Sequence, residues 1–348
     1  MVALPEPPNT TLSAVERAGE KGQAVDGGRA HLGGSIIGRE CKRELWFGFR
    51  WSTIVVHKAR LLRLFARGAR EEDWFNHLLT QAGVTVWDVD PDTKQQFRVE
   101  EVGGHFGGSL DGVVLGLTEA PSIPHVSEQK THAFKSFEDV AKKGVLKSKP
   151  EHYSQMQVYM HLMNLPWAFY QAVNKNNDDL YYERVQYDKD AAEALIRKAE
   201  HIITSDRPPE GISNDPSFYK CKFCDHSFLC HGYSTPAMSC RTCAFATAEI
   251  DGDARWSCAK HKKDISVEDQ RLACDKHLFI PELLEPWAEV LDGTDEFVSY
   301  KNKLNGNEFI NGLNGFSSKE ISVCAEPAVL GDLVINELKE NFDAEVTG

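Results

Sequence analysis

Ser127-Glu128-Gln129-Lys130-Thr131 lies inside a short β-like run from His125 to Thr131, and its reading decides the fold. Glu128 and Lys130 are two residues apart, so strand alternation puts both side chains on one face of a sheet. Upstream, Ser109-Leu110-Asp111-Gly112 opens another β-like run, Leu110 to Leu117, with Asp111 expected on that strand. If the two strands pair, Asp111 and Glu128 can reach a common cation, and the carbonyl of Gln129 can add a third protein oxygen. Hard oxygen ligands suit Mg²⁺ or Mn²⁺. Lys130 then sits where an ammonium could orient or polarise a water beside that ion. An Asp before Gly is by itself more often a turn residue, and Glu-x-Lys a common surface strand pattern. The ordered set carries the reading, not any one member.

Helices flank these strands in the pattern. Leu61, Leu64, Phe65, Phe75, Leu78 and Leu79 recur at helical spacing before Gly83, and that helix carries Glu71 and Glu72. Glu72 is favoured over Glu71 to approach the cation from this side. Further β-like runs cover Thr85 to Val89 and Gln96 to Val102. Pro150 opens a helix striped by Tyr153, Met156, Met160 and Met163, on which Gln155 and Tyr159 share a face four residues apart. These two are expected to project toward a scissile phosphate or the base beside it. Trp167 to Asn174 and Leu180 to Tyr187 read as a hairpin, and Asp188 as the cap of a helix to about Thr204.

The net charge of −13 argues against bulk electrostatic coating of nucleic acid. Any contact with DNA has to be local. Lys42, Arg43, Arg50, Lys58, Arg60, Arg63, Arg67 and Arg70 crowd a stretch opposed only by Glu44, which reads equally as a solvated helix face or a DNA-facing one. No apolar run is long enough to cross a bilayer and no secretory leader pattern opens the chain, so no membrane partner and a cytoplasmic location are expected.

Nine cysteines without an export signal point to metal or redox chemistry. Cys221-Lys222-Phe223-Cys224 and Cys230 give three soft ligands, and Cys41 supplies a fourth from before the first helices. Such thiolate sites accept an iron-sulfur cluster or zinc. Cys240-Arg241-Thr242-Cys243, Cys258 and Cys274 form a second set with zinc-module spacing, with His261 and His277 as substitutes for a thiol. The metal is expected to supply much of that segment's folding free energy. Trp256 is expected to pack on this knuckle, and Cys324 to be a buried apolar thiol.

Gly68 with Glu72, Ser109-Leu110-Asp111-Gly112, Glu128-Gln129-Lys130 and the Gln155 to Tyr159 helix together resemble the PD-(D/E)xK nuclease superfamily. The likeness is nearest its RecB-like branch, which includes phage exonucleases and CRISPR-associated adaptation nucleases. It covers roughly Ser35 to Gly232. One departure is that the branch often has a histidine where Glu72 stands, whereas phage members more often carry glutamate.

The resemblance implies an α/β fold with a restriction-endonuclease-like mixed sheet flanked by helices, and the spacing of the second cysteine set adds a small zinc-binding module after it. It implies a metal-dependent DNA exonuclease of replication, recombination or phage DNA metabolism, acting in a bacterial or phage-infected cell. It also implies a [4Fe-4S] staple on Cys41, Cys221, Cys224 and Cys230. Endonuclease or adaptation-type activity, or an inert DNA-binding factor on the same scaffold, are the alternatives. The expected organisation is a mobile arm over 1–34, the core over 35–232, the zinc module over 233–281 and a C-terminal extension of unread role over 282–348.

Overall fold

The computed structural model describes residues 10–21, 28–342 and 344–347. Its centre is a mixed five-stranded sheet in the order β2 (Thr85–Trp87), β5 (Gly112–Leu115), β6 (His125–His132), β7 (Trp167–Asn174) and β8 (Leu180–Gln186). β6 and β7 pair in parallel, and the other neighbours are antiparallel. A parallel pair needs a crossover. Here it is supplied by α4 (Phe134–Lys143), α5 (Val145–Ser148) and α6 (Pro150–Met163). This is the expected mixed α/β arrangement with helices on the sheet.

Two helices position the central strands. α3 (Ala59–Gln81) lies against β2 and β6, and buries Phe75 and Leu79. α6 lies against β6 and β7, burying Met156, Val158 and Met160. It ends at Asn164 in the left-handed conformation, two residues before Pro166. α7 (Lys189–Thr204) packs on α6, and its Asp188 cap accepts a hydrogen bond from the Ala191 amide.

Several elements differ from the sequence reading. Part of the arm expected over 1–34 is helical: α1 (Thr10–Glu20) packs on α3, with Glu16 paired to Arg63 at 2.9 Å. Positions 1–9 and 22–27 of that arm lie outside the described residues. A small sheet of β1 (Leu32–Gly33), β4 (Phe106–Ser109) and β3 (Arg98–Glu101) stands beside the main one. The glycines of β4 hide it from a propensity reading. Asp111 sits one residue before β5, in the bend that joins it to β4.

The cysteine-rich segment forms β9 (Ala246–Ala248), β10 (Trp256–Cys258) and β11 (Lys263–Asp264). Trp256 does not serve the knuckle alone. It is 1% exposed and packs on Phe49 and His105, with the Arg50 and Arg241 guanidiniums 5.1 and 4.7 Å from its ring centre. Beyond Pro281 the chain folds into an antiparallel sheet of β12 (Ala288–Gly293), β13 (Phe297–Asn302) and β14 (Glu308–Gly312), cored by Trp287, Tyr300, Phe309 and Phe316. Cys324 is buried, as expected, and its thiol donates to the Glu326 carbonyl.

Candidate functional site

The register of β5 on β6 pairs Gly112 with Ser127, and this brings Asp111 to the Glu128–Lys130 face. The Asp111 carboxylate is fixed by the backbone: its Oδ2 accepts the Gln129 amide at 2.7 Å and lies 3.8 Å from Lys130 Nζ. Lys130 makes an ion pair with Glu128 Oε1 and also donates to the Gln129 carbonyl at 3.1 Å. The backbone of one residue, Gln129, thus holds both an acid and the lysine.

Glu128 is fully buried, and apart from the Lys130 ion pair its two oxygens have no hydrogen-bond partner among the described residues. Burial pushes its carboxyl well above the usual carboxylate range, Lys130 opposes this, and Asp111 and Glu72 add repulsion. Burial works against the Lys130 charge, but Glu128 and Asp111 outweigh it and hold the ammonium above an ordinary lysine. Glu72 is raised by burial and then by Asp111, with Lys130 pulling the other way. Glu72, on α3, thus feels the charges of Asp111 and Lys130. Glu71 instead faces Arg67, 3.5 Å away.

Asp111 and Glu128 beside one lysine, with the buried Glu128 carboxylate met only by Lys130, form a hard oxygen pair that suits a hard cation. The donor set fits Mg²⁺ or Mn²⁺ by its chemistry. The Gln129 side chain points to the opposite face, where its Nε2 donates to Asn76 Oδ1 at 2.7 Å and Ser127 Oγ at 3.3 Å.

Gln155 and Tyr159 sit above this face on α6, but they are 6% and 2% exposed. Tyr159 interacts with Gln155 through its hydroxyl. Its ring fills space that only glycine leaves free: a Cβ on Gly108 would come 2.3 Å from the Tyr159 hydroxyl, and one on Gly34 would come 2.8 Å from its Cε1. Both residues are thus packed over the cluster's face from α6.

Sequence reasoning missed a neighbouring cluster. Tyr170 pairs in register with Glu128, and its hydroxyl lies 2.7 Å from His132 Nε2 and 3.0 Å from His152 Nδ1. The signals were present: His132 is on the Lys130 face of β6, and His152 precedes Gln155 by three on α6.

Cys41, the cap of α2 (Lys42–Phe49), lines one cavity of about 350 Å³ with Cys221, Cys224 and Cys230. Burial raises the Cys221 thiol and pushes Cys224 up to about 12, with repulsion from the other sulfurs adding to both. Arg43 Nη1 donates to Cys230 Sγ at 3.6 Å.

Cys240, Cys243, Cys258 and Cys274 line a second cavity of about 230 Å³ together with His261. Burial first, then the neighbouring thiols, pushes Cys240 up to about 12; Cys243 is pushed up to about 11, chiefly by burial. His261 Nε2 is 3.5 Å from Cys274 Sγ. His277 also lines this cavity but is 3% exposed, with Nε2 against the Ser239 carbonyl at 2.8 Å.

Both thiol sets fit soft-metal chemistry, since a bound cation removes the mutual repulsion and the burial cost of thiolates. Among the described residues no group of three or more His, Cys, Asp or Glu side chains is placed so that it could hold a metal ion. No described helix is long and apolar enough to cross a membrane.

No protein-family model and no curated protein matches the chain. Among solved structures, LHK-Exo in complex with dAMP is similar at 15% identity, covering 50% of this chain and 86% of that one, with a TM-score of 0.35. The alkaline exonuclease LHK-Exo from Laribacter hongkongensis is similar at 14% identity, covering 55% and 90%, with a TM-score of 0.35. SSO0001 is similar at 14% identity, covering 63% and 96%, with a TM-score of 0.38.

Proposed function

We propose that this chain is a divalent-cation-dependent deoxyribonuclease, an exonuclease hydrolysing phosphodiester bonds of DNA in replication, recombination or phage DNA metabolism. The observation that supports the reading is the meeting of Asp111, the buried Glu128 and Lys130 on one face of the sheet, with Glu72 on α3 in electrostatic reach of Asp111 and Lys130. The exonucleolytic assignment is supported by the motif resemblance.

When bound, Mg²⁺ or Mn²⁺ supplies positive charge against a non-bridging phosphate oxygen. Asp111, Glu128 and Glu72 would hold it, with the Gln129 carbonyl within the same space. Asp111 is oriented for this by the Gln129 amide. Lys130, steadied by Glu128 and the Gln129 carbonyl, would hold the attacking water and favour its deprotonated form. Gln155 and Tyr159 brace the face from α6. Cys41, Cys221, Cys224 and Cys230 would hold a [4Fe-4S] cluster, for which the larger cavity gives room, and Cys240, Cys243, Cys258 and Cys274 a structural zinc.

The test is cleavage of end-labelled single- and double-stranded DNA with Mg²⁺ or Mn²⁺, beside Asp111→Ala and Lys130→Ala. The parent is expected to release nucleotides and both variants to be inactive. Equal cleavage by all three would overturn the site assignment, and no cleavage by the parent would overturn the nuclease reading.

A further inference from the structure

The Tyr170 hydroxyl has one hydrogen and two imidazole nitrogens within reach, His132 Nε2 at 2.7 Å and His152 Nδ1 at 3.0 Å. It therefore donates to one and accepts from the other. The far nitrogen of His132, Nδ1, is 3.2 Å from the hydroxyl of Ser136, which is half-buried and in touch with solvent. The far nitrogen of His152, Nε2, has no hydrogen-bond partner among the described residues. The rings of His132, His152 and Tyr170 stack with centres 5.7 to 6.4 Å apart, so the chain of contacts is rigid.

This chain runs to the candidate site. Tyr170 is buried and lies beside Glu128 on the neighbouring strand. His152, Gln155 and Tyr159 form one stripe of α6, at i, i+3 and i+7, over the Glu128–Lys130 face. Gln155 and Tyr159 are buried and His152 is half-buried, which makes His152 the member of the stripe that keeps an opening toward a substrate. The roles given to the carboxylates and Lys130 leave one requirement of hydrolysis unmet. The departing oxygen must gain a proton.

We propose that His152 donates that proton from Nε2, and that Tyr170, His132 and Ser136 relay its replacement from solvent. The inference rests on the nuclease reading above. As the phosphorus–oxygen bond breaks, the Nε2 hydrogen of His152 passes to the leaving oxygen. The Tyr170 hydroxyl hydrogen passes to His152 Nδ1, the His132 Nε2 hydrogen to the Tyr170 oxygen, and the Ser136 hydroxyl hydrogen to His132 Nδ1. Water reprotonates Ser136. Each group ends neutral, with the tautomer of both histidines reversed, and the relay resets by running backward after product leaves.

Neutral imidazoles suit this relay. Burial, then Lys130, holds His152 down to about 3, and burial, then Lys149 and Lys130, holds His132 down to about 4. A neutral imidazole still donates a hydrogen bond to developing negative charge.

The experiment compares ordinary DNA with DNA carrying a bridging sulfur at the leaving position, both with Mn²⁺, since a thiolate departs without a proton. His152→Ala is expected to lose about 10²- to 10³-fold on ordinary DNA and to come within about tenfold of the parent on the sulfur substrate. Tyr170→Phe, which keeps the ring, is expected to lose about tenfold and to be rescued likewise. Equal losses on both substrates, or no loss in either variant, would overturn the proposal while leaving the nuclease reading intact. If His152→Ala fails to fold, the Tyr170→Phe ratio decides. A parent that cleaves neither substrate removes the nuclease reading and this inference with it.

Discussion

The acid–lysine cluster on β6 and the two cysteine cavities are built in opposite ways. On β6, Asp111, Glu128 and Lys130 are set by strand register and by the backbone of Gln129, so the polar groups are held by the sheet itself. In the cavities, thiols from Cys41 and Cys221 to Cys230, or from Cys240 to Cys274, meet on short loops and strand ends far apart in sequence. The first arrangement needs no ion to exist. The second would gain much of its order from the metals proposed for its sulfurs. The proposed function therefore divides the labour, with chemistry on the sheet and cohesion in the loops.

The largest effect that separates the two regions should come from the sheet. Glu128→Gln is expected to lower cleavage by roughly 10³-fold or more, while the circular dichroism of the protein stays that of the parent. Lys130→Ala should lose activity to a similar degree and in addition lose about 3–5 kcal/mol of stability in urea, because Glu128 is left buried without its partner. Activity surviving in Lys130→Ala would break the comparison from the sheet side.

The cysteine substitutions should invert that pattern. Cys240→Ser and Cys41→Ser are expected to lose bound metal and several degrees of thermal midpoint, while the folded fraction keeps its cleavage rate. Iron and zinc counts on anaerobically purified protein, with the visible absorption of an iron–sulfur cluster, check the first part. Cys41→Ser is expected to lose iron, and Cys240→Ser to lose zinc. Loss of cleavage in Cys240→Ser at an unchanged midpoint would make that cavity part of the chemistry.

Tyr159 offers a finer probe of how the sheet site is braced. Gly108→Ala should cost about 1–3 kcal/mol, since its Cβ would meet the Tyr159 hydroxyl at 2.3 Å. Adding Tyr159→Phe removes that oxygen and should recover part of the loss in a urea titration. No recovery would place the clash elsewhere.

The framework of the fold is legible in the sequence where period and punctuation agree. α6 and α7 show helical spacing, with Pro150 and Asp188 at their starts, and β7 and β8 flank an Asn/Asp-rich turn. Glu128 and Lys130 share a face by alternation alone. β4 is unreadable because Gly107 and Gly108 are there to make room for packed neighbours, which no propensity encodes. The C-terminal sheet is masked by polar residues at inward positions: Asn302 and Asn311 are fully buried, and their amides satisfy carbonyls of Pro327, Leu330 and Phe316. α1 is hidden because it buries no residue of its own. The His132–Tyr170–His152 contact joins three separate elements, and only the fold brings them together.

Acidification gives a smaller effect that both regions share. His132 and His152, and His277 in the lining of the second cavity, are held at about 4, about 3 and about 4, mainly by burial, against an ordinary value of 6.5. The unfolded chain therefore takes up protons first as pH falls, so their contribution is intact above about 6.5 and drains away toward 4. The urea midpoint should fall between pH 7 and pH 5. A midpoint that holds or rises over that range would show these rings to be accessible to protons in the fold. Least of all, Glu16→Ala on α1 should change stability by about 0–1 kcal/mol, as an exposed ion pair does.

The most direct measurement is Mn²⁺ binding followed by the electron paramagnetic resonance of the free ion, without DNA. The parent and Cys240→Ser are expected to take up the ion, and Asp111→Asn and Glu128→Gln to bind it at least tenfold more weakly. Equal uptake by the parent and both carboxylate variants would contradict the account, because the ion would then be held somewhere other than on Asp111 and Glu128.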